Sequence, residues 1–419
     1  MAGPRLRPVE AFPASIAGRD LVGLRDPSGV TEAVLSVAPL VLEILALFDG
    51  CHSLLDVQAE MMRRHGSLVP RSELEALVEA LDRNLFLDSP RLAEERARLA
   101  DAFARSPVRP TVHAGKAYPG DADGVLAAFA GYVADPTGPG SPGPPGRIRL
   151  HGLVAPHIDF HRGGPAYAWA YRQVVEAEEI DCFVVLGTAH AGLDGQPFTA
   201  TRKAYDTPLG PVSVDDEVLE AIVDRSPVDL FAAEQAHRTE HSIEFQAVSI
   251  RWAERARGRG REVRLVPLLA SFVHECLVAG RDPGEAVPVA GVLEAVRSAM
   301  AVVPRRYCVV AGADLAHLGP RFGDPAPVTP ADLARIESED LALLETVRGG
   351  RPEAFFQAVR GDGDRRRICG LSPIYATLKL LPGGAGRLLR YGQWPDPQGV
   401  VTYASLAFTA APGRSLSVA

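Results

Sequence analysis

At 419 residues with a formal charge of −8 at pH 7, the chain is long enough for a large core and more than one domain. Its acidic balance argues against nucleic acid or an anionic membrane surface as a partner, since both favour basic proteins. Five cysteines, Cys51, Cys182, Cys276, Cys308 and Cys369, form an odd, scattered set that fits a reducing cytoplasm rather than a disulfide framework. The amino terminus lacks the apolar run of a signal peptide, and no apolar stretch approaches membrane-spanning length. The expectation is a cytoplasmic protein with no membrane and no nucleic-acid partner.

Residues 1–20 carry no clear pattern and are expected to be partly disordered. From Leu21 the reading sharpens: Leu21-Val22-Gly23-Leu24-Arg25, an Asp26-Pro27-Ser28-Gly29 turn and a second short apolar segment predict a small hairpin. Val37, Leu40, Val41, Ile44, Leu45 and Phe48 recur at helical spacing behind Ser36 as N-cap, with Gly50 as the stop. Ser53-Leu54-Leu55-Asp56 opens a second helix in the manner of a capping box, and Gly66 ends it. A third helix runs from about Ser72 to Arg83, ahead of a strand-like Leu85-Phe86-Leu87. Together these predict a small winged-helix-like module over residues 21–90.

A winged helix suggests DNA, yet between Leu21 and Asp88 five basic residues stand against eleven acidic ones, a balance that repels phosphates. Through Leu24-Arg25-Asp26 and the helix end Leu45, Phe48, Asp49 and Gly50, the module resembles the PqqD-like peptide-recognition modules. That resemblance implies binding of a peptide, such as a leader peptide, as an added strand on the hairpin edge; a structural or regulatory appendage is the alternative. Arg91 to Arg105 reads as a charged helix, part of a linker over residues 91–108.

The next domain spans residues 109–419, and its chemistry gathers at strand ends. Leu153-Val154-Ala155 breaks into Pro156-His157-Ile158-Asp159-Phe160-His161-Arg162-Gly163-Gly164 before Pro165, whose fixed φ suits a first helical position. Cys182 to Gly187 predicts a second buried strand, leaving through Thr188-Ala189-His190. Open α/β sheets carry their sites at such carboxyl ends, and neighbouring strands lie roughly 5 Å apart, so His157 and His190 are read as two ligands of one metal.

Cys369 is the leading candidate for a third ligand. Ser372-Pro373 marks a helix start just beyond it, and a helix N-terminus favours thiolate, the form a metal binds. Asp314 and His317 leave the end of a third strand, Tyr307 to Ala311, and are expected in the same pocket as ligands or acid/base groups. Glu240 and Glu244 lie four apart on one helical face beside His241; they either line the site or cap and salt-bridge the helix. Cys182 and Cys308 read as core, and His52, His65, His113, His151 and His274 belong to no constellation.

In order along the chain, Ala114 to Asp121, Pro156-His157, Gly187 to His190, Thr207-Pro208-Leu209-Gly210, Glu240-His241-Ser242-Ile243-Glu244, Asp314 to His317, Cys369-Gly370 with Pro373-Ile374, and Tyr403-Ala404-Ser405 resemble the Memo family, known in bacteria as AmmeMemoRadiSam system protein B. The resemblance runs from about Arg109 to the end. It implies an α/β fold, a central sheet flanked by helices, similar to class III extradiol dioxygenases, which are non-haem iron enzymes using two His and a carboxylate. In the family a Cys replaces the carboxylate, which implies His157, His190 and Cys369 as ligands of one transition metal ion, iron(II) first, with copper or zinc as alternatives. His317 matches the dioxygenase acid/base residue, and Asp314 and His241 are implied to line the same pocket.

The implied function is a metal-dependent oxidoreductase, non-haem iron or copper, acting on a small molecule or on a peptide delivered by the N-terminal module. A non-catalytic peptide- or anion-binding protein and a zinc hydrolase using Asp159 or Glu244 as base are the alternatives. A radical SAM enzyme is the partner the resemblance implies. Ile158-Asp159-Phe160-His161 departs from the sequence that usually follows Pro-His in the family, which makes Asp159 and His161, with Glu240 and Glu244, candidate pocket residues. The N-terminal module lies outside the core family pattern.

Overall fold

The computed structural model describes residues 3–16, 18–258 and 262–410, and the chain divides into two compact units, Met1–Ser106 and Pro107–Ala419. Among the described residues no helix is long and apolar enough to cross a membrane.

The first unit holds strands β1 (Glu10–Ile16), β2 (Arg19–Arg25) and β3 (Val34–Val37), then helices α1 (Pro39–Leu45), α2 (Leu54–His65), α3 (Arg71–Arg83) and α4 (Pro90–Arg105). The expected hairpin is β2 and β3, paired antiparallel with Val22 opposite Val37. The disorder expected over residues 1–20 is corrected for the described residues 3–16: β1 pairs antiparallel with β2, and Leu6 N donates to the Phe48 carbonyl at 2.7 Å. Pro13 hides this strand in the sequence, because proline cannot donate to a ladder, but β1 is an edge strand, where proline is tolerated. Residues 1, 2 and 17 of that expectation lie outside the described residues.

Ser36 is not the first helix's cap: it sits in β3 opposite Gly23, and α1 starts behind Ala38 with Pro39 in its first turn. The capping box of α2 is present in both directions, and Gly66 closes that helix at φ 68°. Leu24, Phe48, Val57, Leu74, Leu81 and Phe86 form the core. The charged helix expected as a linker belongs to this unit, which extends to Ser106. Its start is anchored, since Leu92 is buried and the Ser89 hydroxyl caps the helix and donates to Asp82 at 2.5 Å.

The Asp26-Pro27-Ser28-Gly29 turn is organised by one carboxylate. Asp26 accepts from the backbone N–H of Ser28 at 2.8 Å, of Val30 at 2.6 Å and of Thr31 at 3.0 Å, and the buried Arg7 guanidinium lies 2.5 Å away. Burial opposes ionisation, but Arg7, the Ser28 hydroxyl and the two amides of Ser28 and Thr31 hold the Asp26 carboxyl well below its ordinary value of 3.8. Asp26→Ala is expected to destabilise this unit by about 3 kcal/mol, because it strands a buried guanidinium. A group with a depressed folded pKa contributes stability above its unfolded value and loses it as the pH falls towards the folded one. Hydrogen-exchange protection in α2 and α3 of the native protein, measured against the intrinsic rate at each pH, should therefore fall as the pH drops below about 4; protection in Asp26→Ala equal to wild type would refute the assignment.

The second unit runs β4 (Val108–Arg109), α5 (Ala122–Ala134), β5 (Leu150–Ala155), α6 (Phe160–Glu176), β6 (Cys182–Thr188), β7 (Phe198–Ala200), β8 (Ala204–Tyr205), β9 (Ser213–Val214), α7 (Asp216–Val223) and α8 (His241–Ala256). It continues with β10 (Arg264–Ala270), α9 (Val273–Ala279), α10 (Val287–Val302), β11 (Tyr307–Gly312), β12 (Asp314–Leu318), α11 (Pro330–Arg348), α12 (Pro352–Asp362), α13 (Leu371–Leu380), β13 (Gly386–Asp396) and β14 (Gly399–Thr409).

Its nine-stranded sheet has the order β12-β14-β5-β11-β6-β10-β7, with β13 on β14 and β9 on β10. The strands β5, β11, β6 and β10 are parallel; β14 enters antiparallel beside β5, and β12 antiparallel beside β14. The sheet is thus mixed, an α/β fold with helices on both faces. The continuous apolar run of β6 follows from this: Cys182, Val184 and Leu186 pack into one core with α7, α10 and α13, whereas Phe183 and Val185 pack into the other with α6 and α8.

Pro165 corrects the expected helix start. It lies inside α6, which begins at Phe160. The hydrogen bond that proline cannot make would run to the carbonyl of His161, an exposed residue. His237 sits in a short 3-10 turn, Glu234–Arg238, and α8 begins at His241 with Glu240 as its cap.

Candidate metal centre

His157 follows β5 and His190 follows β6, but these strands are not neighbours; β11 lies between them. The two imidazoles nevertheless meet, with ring centroids 4.9 Å apart: His157 is drawn to the Gly312 carbonyl at the carboxyl end of β11, and His190 is held by Glu240. Cys369 arrives from across the sheet, its Sγ 3.1 Å from His157 Nε2. One ligand atom from each of His157, His190 and Cys369 lies within 4.8 Å of the others.

Two glycines make the approach possible. A Cβ on Gly370 would sit 2.5 Å from the Asp314 carbonyl, and one on Gly312 would sit 2.5 Å from the Ser242 carbonyl. Side chains there would push the cysteine loop and the start of α8 away from the strand end.

Each histidine is locked through its other nitrogen. His157 Nδ1–H donates to the Gly312 carbonyl at 2.9 Å, leaving Nε2 turned to the sulfur. His190 Nδ1–H donates to the Glu240 carboxylate at 3.1 Å, and the His190 backbone N–H reaches the same carboxylate at 2.9 Å. A ligand imidazole whose second N–H is held by a carbonyl or carboxylate is the usual arrangement around protein-bound metals, where it sets the tautomer and ring orientation. Glu240 also caps α8 by accepting from the N–H groups of His241 and Ser242.

Burial pushes the His157 imidazole down to about 3, so it is neutral and has a lone pair to give. Burial opposes the charge on His190, but Glu240 and Cys369 hold that imidazole above its ordinary range. Burial raises the Cys369 thiol, and His190 pulls it back only in part. The thiolate expected from the helix start alone is therefore not what this pocket favours; burial outweighs the helix end, and a cation is needed to hold the anion.

Glu240→Gln is expected to weaken metal binding by about 10- to 100-fold, the usual cost of losing a supporting carboxylate. A competition titration against a coloured chelator measures it, and an unchanged affinity would remove Glu240 from this role.

Asp314 and His317 do face the site, though from β12 rather than from a loop. The Asp314 carboxylate accepts the His157 backbone N–H at 2.9 Å and lies 3.7 Å from His157 Nε2. Burial pushes its carboxyl up to about 6. Burial lowers the His317 imidazole while Asp314 works against this; its Nδ1–H donates to the Leu315 carbonyl at 3.0 Å. His241 packs with its ring centroid 4.6 Å from His190 and 5.1 Å from His157. The centre grades from buried His157 to exposed His190, and beside it opens a cleft of about 330 Å³ lined by Ser271, His274, Arg367 and Leu371 together with His190 and Cys369.

Glu244 does not line the site. Its carboxylate takes the Arg109 guanidinium, the Tyr118 hydroxyl and the His113 backbone N–H, the last at 3.0 Å. Asp159 and His161 are also placed elsewhere. Ile158 and Phe160 turn inward, which sends the intervening Asp159 to Arg162, 3.6 Å away, and His161 towards Trp394, with ring centroids 6.1 Å apart. Among the described residues neither belongs to a group of converging ligand atoms.

Two residues escaped the sequence reading. Arg109, fully buried, donates to the carbonyls of His237 at 3.0 Å and Glu240 at 2.7 Å, fixing the segment that carries Glu240. His113, which belonged to no sequence constellation, packs its ring 5.6 Å from His241 and bonds the Thr239 carbonyl at 2.9 Å. No local signal marks either one, since their partners are more than a hundred residues away.

Residues 109–407 match the model of a family described as "Memo-like protein". A MEMO1 family protein of Aquifex aeolicus is 26% identical over 394 residues, covering 92% of this chain and 95% of the relative. One from Thermus thermophilus is 30% identical over 344 residues, covering 80% of this chain and 92% of the relative, and one from Methanopyrus kandleri is 30% identical over 311 residues, 70% and 96%. The Aquifex match is longer than residues 109–419 can supply, so it takes in part of the N-terminal unit. With the family match reaching every strand of the large sheet and every candidate ligand, this chain belongs to the Memo-like protein family.

Proposed function

We propose that the protein is a metal-dependent redox enzyme, its metal held by His157 Nε2, His190 Nε2 and Cys369 Sγ. The observation that carries this reading is the convergence of two imidazole nitrogens and a thiol, with each imidazole locked through its second nitrogen. A set of two imidazoles and one thiolate suits iron(II), copper or zinc, and when bound such an ion supplies a Lewis-acidic centre that, for iron or copper, is also redox-active.

The chain's own groups divide the remaining work. Glu240 and the Gly312 carbonyl orient the imidazoles. Asp314, with its carboxyl near 6, holds or releases a proton at Oδ2 close to neutral pH, and His317 accepts one in the same pocket. The cleft beside His190 and Cys369 admits the substrate. The zinc-hydrolase alternative is disfavoured, because Glu244 has its oxygens engaged and Asp159 is turned to Arg162.

A peptide is the substrate class to test first. In the first unit the sheet ends in β3 on one side and in β1, which carries Pro13, on the other. The edge without a proline supports docking of an extended segment as an added strand. A radical SAM enzyme is the partner class that the family resemblance adds.

The test is metal analysis of anaerobically purified protein, followed by oxygen uptake with candidate peptides. Metal near one equivalent together with substrate-dependent uptake is expected. Metal without any uptake would favour a binding protein on the same fold, and absence of metal would end the proposal.

A further inference from the structure

A second group of donors lies beside the first. His190, Glu240 and His241 each present one ligand atom within 4.8 Å of the others, and His190 is common to both groups. His190 Nδ1 is 3.1 Å from Glu240 Oε1, and His241 Nδ1 is 3.2 Å from the same oxygen. The two rings are inclined by only 18° with centroids 4.6 Å apart, so both Nδ1 edges address one carboxylate.

The His241 contact is unlike the His190 contact in one respect. His190 Nδ1 meets the carboxylate with hydrogen-bond geometry; His241 Nδ1 lies 3.2 Å from it without that geometry. Three donor atoms from His190, Glu240 and His241 thus stand within the spacing that the ligands of one small cation adopt.

Resting on the reading of the first centre, we propose that His190 Nδ1, Glu240 and His241 Nδ1 form a second site for a borderline divalent cation, with His190 bridging the two. Two imidazole nitrogens and a carboxylate suit zinc, copper(II) or cobalt(II), whereas the first site with its thiolate suits softer ions as well. Filling both sites requires the Nδ1 proton of His190 to leave to solvent. The ring then coordinates through Nε2 on one side and Nδ1 on the other as an imidazolate. His190 and His241 retain access to solvent, with side-chain exposures of 37% and 30%, so the site can load without unfolding. Glu240, in this arrangement, is a ligand in the doubly loaded protein and an orienting group in the singly loaded one.

The experiment is metal counting on the full chain. Wild-type protein, His241→Phe and Cys369→Ser are each loaded with excess zinc, desalted and analysed by mass spectrometry. Two equivalents in wild type and one in each variant are expected. A cobalt(II) titration of wild type reads the same question without a variant: thiolate-to-cobalt charge transfer should saturate at one equivalent while the visible ligand-field absorption grows to two. One equivalent in wild type with full charge transfer would overturn the second site and leave the first intact. Two equivalents in both wild type and His241→Phe would also overturn it, by placing the second ion elsewhere. No bound metal at all would remove both proposals.

Discussion

Cys369→Ser is expected to lose metal binding by more than the roughly 10- to 100-fold that follows loss of a supporting carboxylate, with the fold retained. Serine preserves the size of the side chain, but its hydroxyl does not ionise as a thiol does, so the anionic donor disappears. The thiol sits 3.1 Å from His157 Nε2, beside the cleft rather than deep in the core, so little packing is lost. Chelator competition on wild type and variant, with circular dichroism as the control for folding, measures the effect. A variant that keeps wild-type affinity would show that the sulfur is not a ligand and would leave the centre with histidines alone.

Arg109→Met is expected to destabilise the second unit by about 3–5 kcal/mol, the usual result of removing one partner of a buried ion pair. Both partners are fully buried. Besides Glu244, the guanidinium serves the carbonyls of His237, Glu240 and Pro110, so methionine of similar length leaves a buried carboxylate and three carbonyls without their donor. Glu244→Gln in the same chain should restore part of the loss, because a neutral amide still bonds to Tyr118 and to the backbone at Val112 and His113 without carrying an unpaired charge. Urea unfolding followed by tryptophan fluorescence reads this unit alone, since Trp169, Trp252 and Trp394 all lie within it. A loss below about 1 kcal/mol would mean that the pair behaves as a solvent-screened one. Because Arg109 holds the Glu240 carbonyl, the variant should also bind metal more weakly, which ties a stability effect to the geometry of the centre.

The sequence by itself determined the pieces that depend on neighbouring residues. Apolar runs bounded by polar loops marked β5, β6 and β11, since a strand covered on both faces needs apolar side chains on both. Histidines at the ends of two such strands, with a cysteine ahead of a helix, were enough to name a candidate triad whose donor atoms converge. The capping box of α2 and the glycine stop at Gly66 were equally legible, because caps are made by residues three or four apart.

Only the tertiary structure decided which strands are neighbours. It placed β11 between the two histidine strands and sent β14 back antiparallel beside β5, choices made by long-range packing that leave no periodic trace. It also separated Glu240 from Glu244, four residues apart on one helix: the first reaches His190 as the helix cap, whereas the second is taken by Arg109 from a segment more than a hundred residues earlier. The same holds for Asp159 and His161, whose direction was set by the burial of Ile158 and Phe160 on either side of Asp159. Residue type and spacing announce which groups can do chemistry; the desolvation and contacts that give each its orientation and charge exist only once distant segments have packed.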